Sequence, residues 1–315
     1  AWSDVFQGTL MLLGLVLLPV VALNHLGGID ELMARLSEID GALVTLSGAG
    51  GWTLINVCGV LSLLLIGLGF LGSPQIFARF LALKSEGEIN KGTWVAITWT
   101  ILADSGAVLT GMCGRSILGV DGESVLPMLV EHLMPVMLVG LYIAIVLSAI
   151  MSTVDSLLVV AGSAAVRDYY QKVRRPDLPD DQLVSMSRWV TFGLAITALI
   201  VALLVAVTTP DRTIFWFVIF GWSGISATFC PTIILSLFWP RFTKRGALSA
   251  MIGGFIAVPL FKFVVPKIAV IGPYFDALGE LPPAFLVSFV LGIAMSLCCD
   301  NSCSELSGES AESAN

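Results

Sequence analysis

Eight stretches of the chain are dominated by Leu, Ile, Val, Ala, Gly and Phe, at roughly residues 5–24, 52–72, 92–115, 134–165, 185–208, 213–238, 246–266 and 282–299. Most approach or exceed the ~20 apolar residues that a helix needs to cross the hydrocarbon core of a bilayer. None alternates at a period of two, the pattern of a membrane β-barrel strand. Within lipid a backbone must satisfy its own hydrogen bonds, which leaves helices as the elements these runs can form. The pattern therefore predicts an all-α polytopic membrane protein of about eight transmembrane helices. The first run lacks a basic start and a small-residue cleavage site, and further spans follow, so it reads as a span and not as a signal peptide.

Composition agrees with the pattern. Apolar residues make up 57% of the 315 and charged residues 12%, against about half and about a quarter in soluble domains. The bilayer is thus the first partner the sequence implies. Basic residues orient the spans. One set of loops holds Arg79, Lys84, Lys91, Arg167, Lys172, Arg174, Arg175, Arg188, Arg241, Lys244 and Arg245. The alternating set holds only Arg35, Arg115, Arg212, Lys262 and Lys267. This bias places the first set, and both ends of the chain, on the cytoplasmic side of the plasma (inner) membrane. The net charge of −7 offers no basic surface for nucleic acid. Residues 300–315 are Ser- and Glu-rich and read as a disordered cytoplasmic tail, which leaves 1–299 as one membrane domain. The six cysteines suggest no disulfide framework; Cys298, Cys299 and Cys303 cluster near the tail. His25 and His132 lie outside the apolar runs and form no ligand cluster in the sequence. The chain starts with Ala1, with Asp4 at the mouth of the first span, and so reads as a piece from which earlier helices are missing.

Three spans break their own pattern. The first break is Gly67-Leu68-Gly69-Phe70-Leu71-Gly72-Ser73-Pro74. Its G-x-G-x-x-G follows no strand, which removes a dinucleotide reading. Glycines weaken a helix, and Pro74 cannot return a hydrogen bond to Phe70, so the helix should unwind or kink and expose carbonyls. That is either a harmless break at the end of a span or a hinge facing a solute. The second is Ser148-Ala149-Ile150-Met151-Ser152-Thr153-Val154-Asp155-Ser156. Ser148, Ser152, Asp155 and Ser156 share one helical face, with Thr153 at its edge. A single hydroxyl would merely bond to backbone or join helices. Four hydroxyls with a carboxylate are hard oxygen donors suited to Na⁺ or H⁺. The third is Gly221-Trp222-Ser223-Gly224-Ile225-Ser226-Ala227-Thr228-Phe229-Cys230-Pro231. It reads equally as close helix packing or as a loosened span in which Trp222 and Phe229 act as a gate. Asp104 has no evident role. No nucleophile–base pair is visible, so the chain does not read as an enzyme and implies no cofactor.

These blocks resemble the sodium:solute symporter family, most nearly its sodium/proline branch. Ser3-Asp4-Val5-Phe6-Gln7-Gly8 looks like the start of the family's fifth core helix. The block from Gly67 through Ser73-Pro74-Gln75 to Ala78-Arg79-Phe80 looks like the sixth, Ala149 to Thr153 like the eighth, and Trp222 to Pro231, with Ser236 and Trp239, like the tenth. The resemblance runs from Asp4 to about Trp239 and thins after Pro266. It implies part of a leucine-transporter-type fold, an inverted repeat of five plus five helices, here core helices five to ten plus two peripheral ones.

The resemblance also implies sodium-coupled import of a small solute, plausible substrates being proline or another amino acid, by alternating access, with Na⁺ as the coupling ion. A rival is a transporter-like sensor or regulatory domain that does not transport. Carried over residue by residue, the sodium site takes the Ala149 carbonyl and the Ser152 and Thr153 hydroxyls. A second cation site takes Asp4, Asp155 and Ser156, although many relatives have Ser where this chain has Asp155. The solute-binding or gating positions become Ile66, Phe70 and Pro74, with Trp222 and Phe229. Ile66 and Phe70 replace an aromatic residue and a tyrosine of the proline branch, which argues against simple transfer of proline specificity.

Overall fold

The computed structural model describes the chain except for Ala1, Ala49, Asp177, residues 209–212 and residues 313–315. It describes no side chains at Asp180, Asp181 or from Cys299 onward. Arg212, Cys299, Cys303 and the side chains of the tail thus lie outside the described residues. Among the described residues there are helices and no strands: α1 (Trp2–Leu26), α2 (Ile29–Ile39), α3 (Leu54–Leu65), α4 (Pro74–Leu81), α5 (Glu86–Leu118), α6 (Val125–Leu133), α7 (Val136–Ser163), α8 (Asp180–Thr208), α9 (Ile214–Phe238), α10 (Lys244–Phe263), α11 (Gly272–Leu278) and α12 (Leu281–Glu312).

Eight helical stretches are long and apolar enough to cross a membrane, and each overlays one of the eight runs. Two extend well past the run that predicts them. The α5 helix begins at Glu86, with Glu86 and Glu88 in its first turn, where carboxylates favour the positive end of the helix dipole. Beyond α7 the chain continues as a wide-turned π-helix, Ala164–Arg174. Hydropathy reports only the part of a helix that lipid would cover, so both polar extensions escape it.

The apolar faces of these helices are not hidden. On α8, Phe192, Leu199, Leu203 and Leu204 are each more than half exposed. Apolar patches of that extent mark a surface made for another partner. Combined with spans of bilayer length, they make the chain a multi-pass membrane protein.

The chain folds as two compact units. The first comprises residues 1–48 and 83–212. Its core lies where short helices cover one end of the long ones: Leu18, Ala22 and Leu26 of α1, Leu32 and Leu36 of α2, Cys113 of α5, Leu129 and Val130 of α6, and Tyr142 of α7. The second comprises residues 49–82 and 213–315. Here α10 and α12 lie antiparallel on small residues. Ser288 Oγ donates to the Ala250 carbonyl at 2.8 Å, and Ser296 Oγ accepts from Thr243 N at 3.1 Å. At the far end of α10, Lys262 Nζ meets the almost fully buried Glu280 carboxylate at 3.2 Å, 5.9 Å from the Trp216 ring centroid.

Each unit solves the same backbone problem in the same way. Pro19 interrupts α1 and Pro231 interrupts α9. Neither can return a hydrogen bond to the carbonyl four residues earlier, Leu15 or Ala227. A glycine of another helix packs on each of those carbonyls: Gly106 of α5 on Leu15, and Gly254 of α10 on Ala227. A Cβ at either glycine would overlap the carbonyl oxygen.

Gly106→Val and Gly254→Val should therefore each lower the apparent melting temperature of the detergent-solubilised full-length protein, by about 1–3 kcal/mol of overpacking. Gly111→Val, at an α5 position with no neighbouring atom within 4 Å, should leave it unchanged.

Candidate functional site

In the first unit, α1 and α7 run antiparallel in one register. Near the start of α1, Ser152 Oγ donates to Asp4 Oδ1 at 3.5 Å. Ten residues along α1, Tyr142 Oη donates to the Gly14 carbonyl at 3.3 Å. Gly14 lets the helices close at this point, because a Cβ there would already press on Ile145.

The predicted sodium ligands gather on α7 beside this seam. Thr153 Oγ1 donates to the Ala149 carbonyl at 3.2 Å, and Ser156 Oγ donates to the Ser152 carbonyl at 3.0 Å. Asp4, Ala149, Ser152 and Ser156 are half-buried, whereas Thr153 and Asp155 are exposed. The structure thus brings Asp4 and Ser152 together. It leaves Asp155 on the exposed side of α7, with no described bond to Asp4. The whole cluster is oxygen: a carboxylate, three hydroxyls and two carbonyls, a donor set for a hard cation. Asp104 lies exposed on α5.

The second unit contains the first and third breaks. Residues Ile66–Gly72 form a 3₁₀-helix, tighter than an α-helix and often a mark of a hinge or of strain. Ser73 is extended and Pro74 sits in the first turn of α4. Its missing N–H costs nothing there. The break thus ends one helix and starts the next.

The carbonyls of the break are taken up by α9. Trp222 Nε1 donates to the Ile66 carbonyl at 3.2 Å, and Cys230 Sγ to the Leu68 carbonyl at 2.8 Å. Between them Ser226 Oγ lies against Gly69, and the backbone at Cys230 lies against Gly72. A 3₁₀-helix stacks positions three apart, which puts Gly69 and Gly72 on one face. Trp222, Ser226 and Cys230, spaced by four, form the matching face of α9. Phe70 completes the contact, its ring 4.8 Å from that of Trp222 and at 60° to it. Two oxygens close to the break, Ser226 Oγ and Gln75 Oε1, are buried without a hydrogen-bond partner.

Of the five predicted solute or gating residues, Ile66, Phe70 and Trp222 meet directly, and Pro74 follows on the same break. Phe229 does not join them. It lines an apolar groove of about 400 Å³ between α9 and α10, with Phe220, Ile225 and Phe255. The ring that meets Trp222 is thus that of Phe70. The sequence carried a readable sign of this: glycines three apart facing a four-spaced set on another span. Read as helix breakers alone, those glycines hid their second use as a contact surface. Likewise nothing in the sequence paired Tyr142 with Gly14.

Interrupted apolar spans, carbonyls of a broken helix directed to side chains of another and an oxygen-only cluster between two spans define a polytopic helical membrane protein with discontinuous helices. Sequence comparison makes this specific. The model of the sodium:solute symporter family matches residues 1–254, and the chain belongs to that family. Among its relatives, the high-affinity proline transporter PutP of Bacillus subtilis (strain 168) is 35% identical over 296 residues, 92% of this chain and 59% of the relative. The osmoregulated proline transporter OpuE of the same strain is 32% identical over 302 residues, 94% of this chain and 58% of the relative. The sodium/proline symporter 2 of Staphylococcus saprophyticus is 31% identical over 297 residues, 91% and 56%. The chain thus spans a little under three fifths of the length of these relatives.

Trp222→Phe, which keeps a ring against Phe70 but removes the donor to Ile66, should cost about 0.5–1.5 kcal/mol. Trp222→Leu, which also loses the ring pair, should cost about 0.5–1.5 kcal/mol more. Apparent melting temperatures of the full-length variants would rank them wild type, Phe, Leu.

Proposed function

We propose that the protein to which this chain belongs is a sodium-coupled symporter that imports a small organic solute, proline or another amino acid, by alternating access. The single observation that carries this reading is the Asp4–Ser152 contact across α1 and α7, with the Ala149 carbonyl and the Thr153 and Ser156 hydroxyls alongside. It is a hard-oxygen cluster between two spans of a chain whose relatives are named proline transporters. In this reading the chain supplies core helices five to ten and two peripheral helices of a leucine-transporter-type fold. It lies in the plasma membrane with its C-terminus, including the tail at 300–315, in the cytoplasm.

The coupling follows from electrostatics and geometry. Na⁺ at Ala149, Ser152 and Thr153 would replace hydrogen bonds internal to α7 with bonds to a fixed positive charge, holding this turn of α7 in place. Asp4, with Ser156 and Asp155, would supply negative charge for a second cation and offset the cost of bringing one out of water. Solute would bind at the broken helix by Ile66, Phe70 and Pro74, with Trp222 holding the break in shape. Ion and solute help each other only if each binds the same one of two states better. The membrane potential adds about 2.3 kcal/mol per charge moved inward at 100 mV. Nothing in this sequence of events makes or breaks a covalent bond.

The test is uptake of labelled proline, and of an amino-acid, sugar and organic-acid panel, by proteoliposomes containing the full-length protein. Uptake should rise when a Na⁺ gradient is imposed; absence of stimulation across the panel would reject the proposal. In the same assay, Ser152→Ala and Thr153→Ala should each raise the Na⁺ concentration for half-maximal uptake by about tenfold, near 1.4 kcal/mol of lost ion binding. An unchanged half-maximal concentration would remove these two residues from the site.

A further inference from the structure

Far from Asp4, the other end of α1 makes a side-chain contact with α6. The rings of His25, at the end of α1, and His132, in the last turn of α6, lie with centroids 6.1 Å apart and planes at 89°. They are the only two histidines in the chain. In sequence they lie 107 positions apart and form no cluster, and the packing of α6 against the end of α1 brings them together. Both are exposed.

We propose that His25 and His132 form a two-imidazole site for a borderline divalent metal ion such as Zn²⁺ or Cu²⁺. Neutral imidazole is a preferred ligand of these ions. With metal–nitrogen bonds of ~2.0–2.1 Å, an ion shared by both rings would sit roughly 3.2 Å from each centroid. Two such distances span the observed separation, and a side-chain shift of about 1 Å would bring the pair to a tetrahedral angle. Planes near perpendicular allow both rings to contain the same metal position. The surroundings favour a cation. Glu131 precedes His132 and Asp30 opens α2 just after His25, while Glu31 beside it is paired with Arg35 at 2.9 Å. Among the described residues no group of three His, Cys, Asp or Glu side chains gathers here, so water completes the coordination and the site is an open one.

Its place gives the site a consequence. Asp4 and His25 are 21 residues apart on α1, about 31 Å at the rise of an α-helix, close to the ~30 Å hydrocarbon thickness of a bilayer. The metal would sit at one membrane face and the Asp4–Ser152 pair at the other. His132 is tied to α7 through only Leu133, Met134 and Pro135. A bound ion would clamp the start of α7 to the end of α1.

The test is Zn²⁺ binding to the full-length protein by titration calorimetry near pH 7.5, with wild type, His25→Ala and His132→Ala, and the Cu²⁺ electron paramagnetic resonance spectrum of each. Both side chains are exposed, so the variants should retain the wild-type melting temperature in the absence of metal. The expected result is one class of Zn²⁺ site weakened by more than about tenfold in each single variant. The Cu²⁺ spectrum should show hyperfine coupling to two nitrogens in wild type and to fewer in each variant. Binding unchanged in either variant, or a wild-type spectrum with a single nitrogen, would overturn the proposal. Neither measurement depends on transport.

Discussion

A backbone carbonyl that loses its helical partner inside an apolar span has no water to turn to. Much of the packing of this chain answers that constraint. Pro19 and Pro231 each release a carbonyl, and Gly106 and Gly254 each bring another helix down upon it. The 3₁₀ stretch at 66–72 has carbonyls to spare, and Trp222 and Cys230 of α9 supply donors. In each case a helix breaker on one span and a small residue or donor on another are two halves of one device. The glycines of the apolar runs weaken their own helices, yet some of them set the distance at which helices cross.

The candidate site sits where these devices leave two spans free to touch through side chains. Along α1 and α7 two polar rungs, a hydroxyl on a carboxylate and a phenol on a carbonyl, punctuate an apolar contact in which Gly14 meets Ile145. The α10–α12 pair is different, since small residues interlock there along most of the contact. Family membership and the oxygen cluster are what support the proposal of a cation site beside this seam.

Much of the fold was legible in the sequence because the bilayer imposes it. Eight runs gave eight spans, and the α5 and π-helical extensions escaped because their polar turns do not need lipid. The breaks at 67–74, 148–156 and 221–231 were legible as breaks, since Gly, Pro and clustered hydroxyls act locally. The Ala149–Thr153 bond follows from the four-residue spacing of a helix. What the breaks touch was not legible. Phe229 had the same claim as Phe70 to the contact with Trp222, and only the packing of α9 between the 3₁₀ segment and α10 separated them. Asp155 shares a face with Ser152 by periodicity, yet the line of contact with α1 runs along Ser152 and leaves Asp155 exposed.

The sequence by itself determined that the chain spans a membrane, how many times, where its helices fail and which residues can offer oxygen to an ion. These are local properties: hydropathy, a missing N–H, a hydroxyl at a given turn. The tertiary structure alone decided which break meets which helix and which residues stand opposite each other across the α1–α7 seam. Each of those pairings joins residues more than a hundred positions apart, through an antiparallel register that no single segment encodes. Asp4 with Ser152 and Gly14 with Tyr142 are consequences of one such register, between α1 and α7, whereas His25 meets His132 through the separate packing of α6 on the end of α1.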